Sequence, residues 1–333
     1  MNPNAQITKL KTEAEESQPI GHGKPVSTQM DFLRRMISQP KAVIGLVIMA
    51  IFISMAIFAP LIAPNRPDAY VGLPNQPPSS AHWLGTTGQG QDVFTQLVWG
   101  SRISLLIGFS VGILSTLLGL VIGMIAGYLP GVVDGVLNMF TNVFLLIPGL
   151  PLLIALASFL PQGMLTVMLV LTFTGWAWPA RVFRSQMLCL REKDFVSASV
   201  VSGEGVSRIV FSEILPNMLS LVMSSLFGAV IYTIGADAGL AFLGFENVNI
   251  VSWGTMLYWA SNSSALLQEA WWTFLPPGLC IALVSFATTM LIYAMDEVTN
   301  PRLRSEKEIT RVLKKYHIGS SRSTPVVREP LSE

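Results

Sequence analysis

Side chains able to carry bond chemistry are sparse in this 333-residue sequence and stand far apart. The three histidines, His22, His82 and His317, share no metal-ligand spacing. Two cysteines, Cys189 and Cys280, cannot staple a chain of this length. No G-x-x-x-x-G-K-[ST] phosphate loop occurs. The glycines at 88 and 90 lack a following lysine and helix, and Gly21-His-Gly-Lys24 runs straight into Pro25. No HExxH and no nucleophile–base set is present, so no catalytic residue, metal site or bound cofactor is expected of this chain. Two acids remain, Asp134 and Asp237, each at the edge of an apolar stretch. An ionisable group at membrane depth is a functional candidate by default.

The elements that must position these residues are apolar. Hydrophobic residues make up 51% of the chain and charged residues 12%, about half the share of ordinary soluble domains. Net charge is +1, which argues against a nucleic-acid partner. Spanning a membrane takes about 20 mostly apolar residues. Six stretches qualify: 42–63, 103–127, 135–158, 164–180, 217–236 and 272–294. Residues 1–30 read as a disordered tail and 31–41 as an amphipathic segment lying at the membrane surface. A loop over 64–102 follows the first span, and a tail over 295–333 follows the last. Of the 21 Lys and Arg, 19 fall in 1–41, in the 181–216 loop or after 294, leaving Arg66 and Arg102 opposite. That asymmetry predicts both termini in the cytoplasm.

Three features bear on mechanism. Gly108, Gly112, Gly119, Gly123 and Gly127 repeat at helical spacing, a small-residue stripe that lets another helix approach closely, within this chain or in a second subunit. Pro148, Gly149 and Pro151 interrupt the third span, where proline removes a donor and clashes one turn back. Such a break is tolerated only inside protein or beside a wet cavity, so these residues are candidate pathway residues or mark a packing kink. Asp237 is a candidate pathway residue or a solvated acid at the interface. The tryptophans at 253, 259, 271 and 272 read as interfacial anchors.

The basic loop reads Phe195-Val-Ser-Ala-Ser-Val-Val-Ser-Gly203, and twelve residues later Leu215-Pro216. It resembles the Glu-Ala-Ala coupling loop of ABC importer permeases. Ala198, Gly203, Leu215 and Pro216 match that pattern, while Ser197 and Ser199 replace the Glu and the second Ala. Phe58-Ala-Pro-Leu-Ile-Ala-Pro64, His82-Trp-Leu-Gly-Thr, Gly100-Ser-Arg-Ile-Ser-Leu-Leu-Ile-Gly108, Ala241-Phe-Leu-Gly244, Ser252-Trp-Gly254 and Asn300-Pro-Arg-Leu-Arg304 resemble the second permease subunit of dipeptide and oligopeptide ABC importers. Gln91 and Asp237 stand where that family usually has Arg and Glu.

The resemblance implies an all-α integral membrane protein with the type I importer permease fold. Six transmembrane helices are expected, a core of five within 103–294 plus the added first helix. It also implies a heterodimer with a homologous permease, two ATPase subunits that bind ATP and Mg, and an extracytoplasmic solute-binding protein. The setting would be the inner membrane of a prokaryote, with lipid around the helices. Peptides are the expected cargo, with oligosaccharides or nickel as alternatives. An ion-coupled secondary transporter would need intramembrane relays or half-repeats, and the sequence offers two marginal aspartates and no repeat.

Overall fold

A computed structural model describes residues 39–299. The expected tails and nearly all of the 31–41 interfacial segment lie outside the described residues, as does the Asn300–Arg304 motif. Helix α1 (Pro40–Ile57) opens on a proline, whose missing N–H is no loss at a helix start. A single turn, α2 (Ala59–Ile62), follows. Residues 64–92 then fold as a loop layer with isolated antiparallel bridges between Tyr70 and Gln91 and between Thr86 and Asp92.

Helix α3 (Val93–Tyr128) has 36 residues, about 54 Å of helix against a hydrocarbon core of ~30 Å. It begins at Val93, well before the start predicted at 103. Asp92 caps it, accepting from Thr95 N–H at 2.8 Å and from the Thr95 hydroxyl at 2.7 Å. Thr95, Gln96, Ser101 and Ser104 are polar yet buried, so apolarity alone hides the first turns.

The third predicted span is two helices, α4 (Val132–Leu146) and α5 (Gly149–Phe159). Their axes turn by 91° between Val132–Leu146 and Pro151–Phe159. Helix α6 (Met164–Gly175) continues into α7 (Ala177–Arg191), past the predicted end at 180. Charge suggested that end, but the arginines are satisfied within the helix bundle. Arg184 grips Asp134 through two hydrogen bonds of 2.6 and 2.7 Å, and Arg181 donates to Asn142 at 2.6 Å. Arg191 reaches the last carbonyls of α3, at Gly127 and Tyr128, where a cation suits the helix C-terminus.

Two short helices, α8 (Asp194–Val201) and α9 (Val206–Arg208), precede a π-helical turn over Ile209–Ile214. Helix α10 (Leu215–Phe242) extends that turn, α11 (Trp253–Asn262) lies across the far end, and α12 (Leu275–Thr299) closes the chain. Among the described residues five helices are long and apolar enough to cross a membrane, and the bent α4–α5 pair makes a sixth if it is one broken span. The chain is therefore a multi-pass membrane protein. Helix α3 is its axis, packed on α7 at one end and on α10 at the other, while α12 joins α10 to α1. The end holding residues 192–209 is called the basic end below, and the end holding 64–92 and 243–270 the loop end.

Candidate functional site

At the basic end, α8 hangs from the bundle by one side chain. Val196 is buried with Phe183, Met187, Ile209, Ile214 and Met218. Phe195, Ser197, Ala198, Val200 and Val201 are left exposed, and Ser199 is half-buried with its hydroxyl donating to the Phe195 carbonyl at 3.0 Å. Val201 is 88% exposed. Phe195, Val200 and Val201 thus leave an exposed apolar patch at the basic end.

Gly203 ends α8 at φ +76°. Its N–H donates to the Val200 carbonyl and the Glu204 N–H to the Ser199 carbonyl, the paired bonds of a Schellman cap. A Cβ added at Gly203 would meet nothing within 4 Å, so the backbone angle is what demands glycine. Glu204 then pairs with Arg208 at 2.7 Å. Leu215 is half-buried and Pro216 exposed at the start of α10. In the preceding π turn Leu215 N–H reaches back five residues to the Val210 carbonyl. Residues 192–216 thus form one continuous unit from α7 to α10, more helical than a loop.

The glycine stripe of α3 divides between two neighbours. A Cβ at Gly108 or Gly112 would fall 2.6 Å from Ile234 or Val230 of α10. At Gly119 it would fall 2.8 Å from Pro179 and 2.9 Å from the Ala180 nitrogen, both on α7, and Gly123 and Gly127 are as crowded by Ala180 and Met187. Both contacts lie within this chain.

Pro148, Gly149 and Pro151 are exposed at the right-angle bend, with Gly149 near the Tyr232 hydroxyl of α10. Asp237 is 2% exposed and enclosed in the bundle. Not all the tryptophans are anchors. Trp253 is fully buried, its N–H donating to the Ser104 hydroxyl at 3.0 Å and its indole to the Leu97 carbonyl at 3.2 Å. Trp272 is buried with its indole on the Thr86 carbonyl, while Trp271 is exposed. At the loop end His82 Nδ1 meets Asp92 Oδ1 at 3.0 Å, which ties the predicted motif to the α3 cap.

Two features escaped sequence reading. Glu246, just beyond α10, is fully buried without a charged partner among the described residues. Gly228, Gly235 and Gly239 of α10 have nothing within 4 Å of an added Cβ. Their spacing of seven and four residues was a signal available in the sequence. No group of three or more His, Cys, Asp or Glu that could hold a metal occurs among the described residues.

Residues 119–305 match the family described as binding-protein-dependent transport system inner membrane component. The chain belongs to this family. Residues 28–78 match the N-terminal transmembrane domain of oligopeptide transport permease C. The oligopeptide transport system permease protein OppC of Bacillus subtilis is 33% identical over 286 residues, covering 84% of this chain and 92% of that protein. The dipeptide transport system permease protein DppC of Alkalihalophilus pseudofirmus is 32% identical over 305 residues, 89% of this chain and 97% of its own length. Within the family match fall Gly119, Gly123 and Gly127 of the stripe, the bend, α8, Gly203 and the whole of α10. The family's members are the inner-membrane component of a transport system, which suits the apolar composition of this chain.

Proposed function

We propose that the chain is half of the translocation path of an ATP-driven peptide importer, fed by a solute-binding protein and paired with a homologous permease. It catalyses no bond chemistry. Two ATPase subunits bind ATP and Mg and dock on α8. The observation that carries this reading is the exposed apolar helix at the basic end, hung from the bundle through Val196 and ended by Gly203. Its rigid link to α10, through the π turn, suits it to pass a stroke from the ATPases into the bundle.

Helix α10 supports a second permease as the missing neighbour. Only 17% of the apolar window in Val206–Phe242 is buried, against 44% in Val93–Tyr128. Its open glycines at 228, 235 and 239 leave room for a close helix. The positive charges support a cytoplasmic basic end and cytoplasmic termini. Peptide is the cargo named in the two relatives above, and selectivity rests largely with the binding protein. Oligosaccharide and nickel are the alternatives.

Replacing Phe195 or Val201 with Asp is expected to release the ATPases from the solubilised complex while the permease pair stays together. Co-purification of the ATPases at wild-type ratio with both variants would sink the docking assignment. Uptake by the reconstituted complex of labelled peptides, with none of oligosaccharide or nickel, checks the cargo.

A further inference from the structure

The chain turns back on itself where α10 ends. Gly244 takes φ +80°, its N–H donates to the Ala241 carbonyl, and the Phe245 N–H donates to the Leu240 carbonyl. This reversal carries Glu246 inward, within electrostatic reach of Asp237. Asp237 is 2% exposed and Glu246 0%. Asp237 Oδ1 and both carboxylate oxygens of Glu246 are buried and make no hydrogen bond among the described residues. None of the ion pairs formed there includes either acid.

The neighbouring elements offer no counter-charge. Helix α10 packs on α3, α5, α6, α7, α11 and α12. At the loop end α3 contributes Arg102, which is exposed and has its guanidinium over the Trp99 ring at 5.6 Å. Helices α5 and α6 carry no titratable residue. Helix α11 contributes Tyr258, whose ring lies against Gly244, and α12 contributes the buried thiol of Cys280. The arginines of α7 lie toward the basic end, and α10 itself adds Tyr232.

Two like charges buried together without a cation are too costly to coexist, and such groups neutralise by taking protons. We propose that Asp237 and Glu246 form a proton-binding site at the loop end of α10, and that release of its proton frees the turn over 243–251. That turn leads directly to Ser252, whose capping box starts α11. The proton therefore governs how firmly α11 is held across the loop end. The inference rests on the packing of this chain and is independent of the transport reading.

Burial pushes the Glu246 carboxyl from its ordinary 4.5 up to about 7. A carboxyl with a raised value in the closed turn and an ordinary one in an opened turn favours closure most below about 4.5. That preference is lost as pH rises to about 7, by about tenfold in the closed-to-open ratio per pH unit. Above that window it stays flat.

The test uses the full chain in its native assembly, reconstituted in nanodiscs. Infrared difference spectra between about pH 5 and about pH 9 should show a protonated-carboxyl carbonyl band at the lower pH that fades at the higher. Glu246→Gln should remove the Glu246 share of that band, leaving at most the share of Asp237. In parallel, hydrogen exchange of the 243–251 amides, corrected for the intrinsic pH dependence, should rise about tenfold or more across the same range in the wild type and stay level in Glu246→Gln. If the glutamine variant fails to assemble, Glu246→Leu carries the same expectation. A band absent at low pH, or exchange with the same pH dependence in wild type and variant, overturns the proposal.

Discussion

Gly203 separates two reasons for keeping a glycine. Space is not the reason in this chain, because a Cβ would meet nothing within 4 Å. The angle is the reason: φ is +76°, a region that costs an ordinary residue about 1–2 kcal/mol. Gly203→Val should therefore unwind the Schellman cap, let α8 drift from its Val196 anchor and abolish substrate stimulation of ATP hydrolysis, with membrane insertion unchanged. Gly203→Asn should retain most of the stimulation, since asparagine tolerates the left-handed region. Stimulated ATPase activity of matched reconstituted complexes measures both. Wild-type coupling in the valine variant would detach the cap from the power stroke, and equal failure of Asn and Val would shift the cause to a partner surface pressed against position 203. This position was legible in the sequence from its spacing to Ala198 and Pro216. So was a turn there that favours glycine, but not which glycine takes positive φ, because Gly203 and Gly205 look alike in sequence and only the former adopts it.

Helices were legible where apolarity sets their extent and illegible where polar groups are satisfied inside protein. Asp92 capping Thr95 and Arg184 gripping Asp134 both lengthen helices that a hydropathy reading ends early. Pro148 and Pro151 announced a break, but its 91° angle comes from how α5 packs on α6 and α10 and is not encoded locally. Glycine stripes show the same division. The α3 stripe and the α10 glycines have similar spacing, yet one is crowded within the chain and the other faces open space. Gly119→Leu should therefore damage the fold of the single chain, because the Pro179 side chain and the α7 backbone lie less than 3.0 Å from the new Cβ. Loss of the folded monomer from mild detergent would report it. Gly235→Leu should leave that monomer intact and weaken recovery of the permease pair, as size-exclusion profiles of co-expressed subunits would show. Equal behaviour of the two variants would mean that the two stripes do not divide these tasks.

At the scale of the whole molecule, the charges and the fold agree on an asymmetric bundle. The described cationic residues of the 181–216 region cluster around α7 and α8, and the opposite end is built from loops capped by Asp92 and Ser252. Lys and Arg resist transfer across the membrane during insertion, so the proposed orientation keeps the end that holds them in the cytoplasm. Each end also offers a residue open enough to report its side: Val201 is 88% exposed at the basic end and Leu267 86% exposed at the loop end. Native thiols would confuse the readout, since Cys189 is exposed on α7, so the labelling belongs in a Cys189→Ser, Cys280→Ser background. In intact cells a membrane-impermeant thiol reagent should modify Leu267→Cys and spare Val201→Cys until the membrane is opened. The reverse pattern would put α8 outside the cell, beyond reach of any ATP-hydrolysing subunit, and the coupling role of Phe195, Ala198 and Gly203 would fall with the orientation.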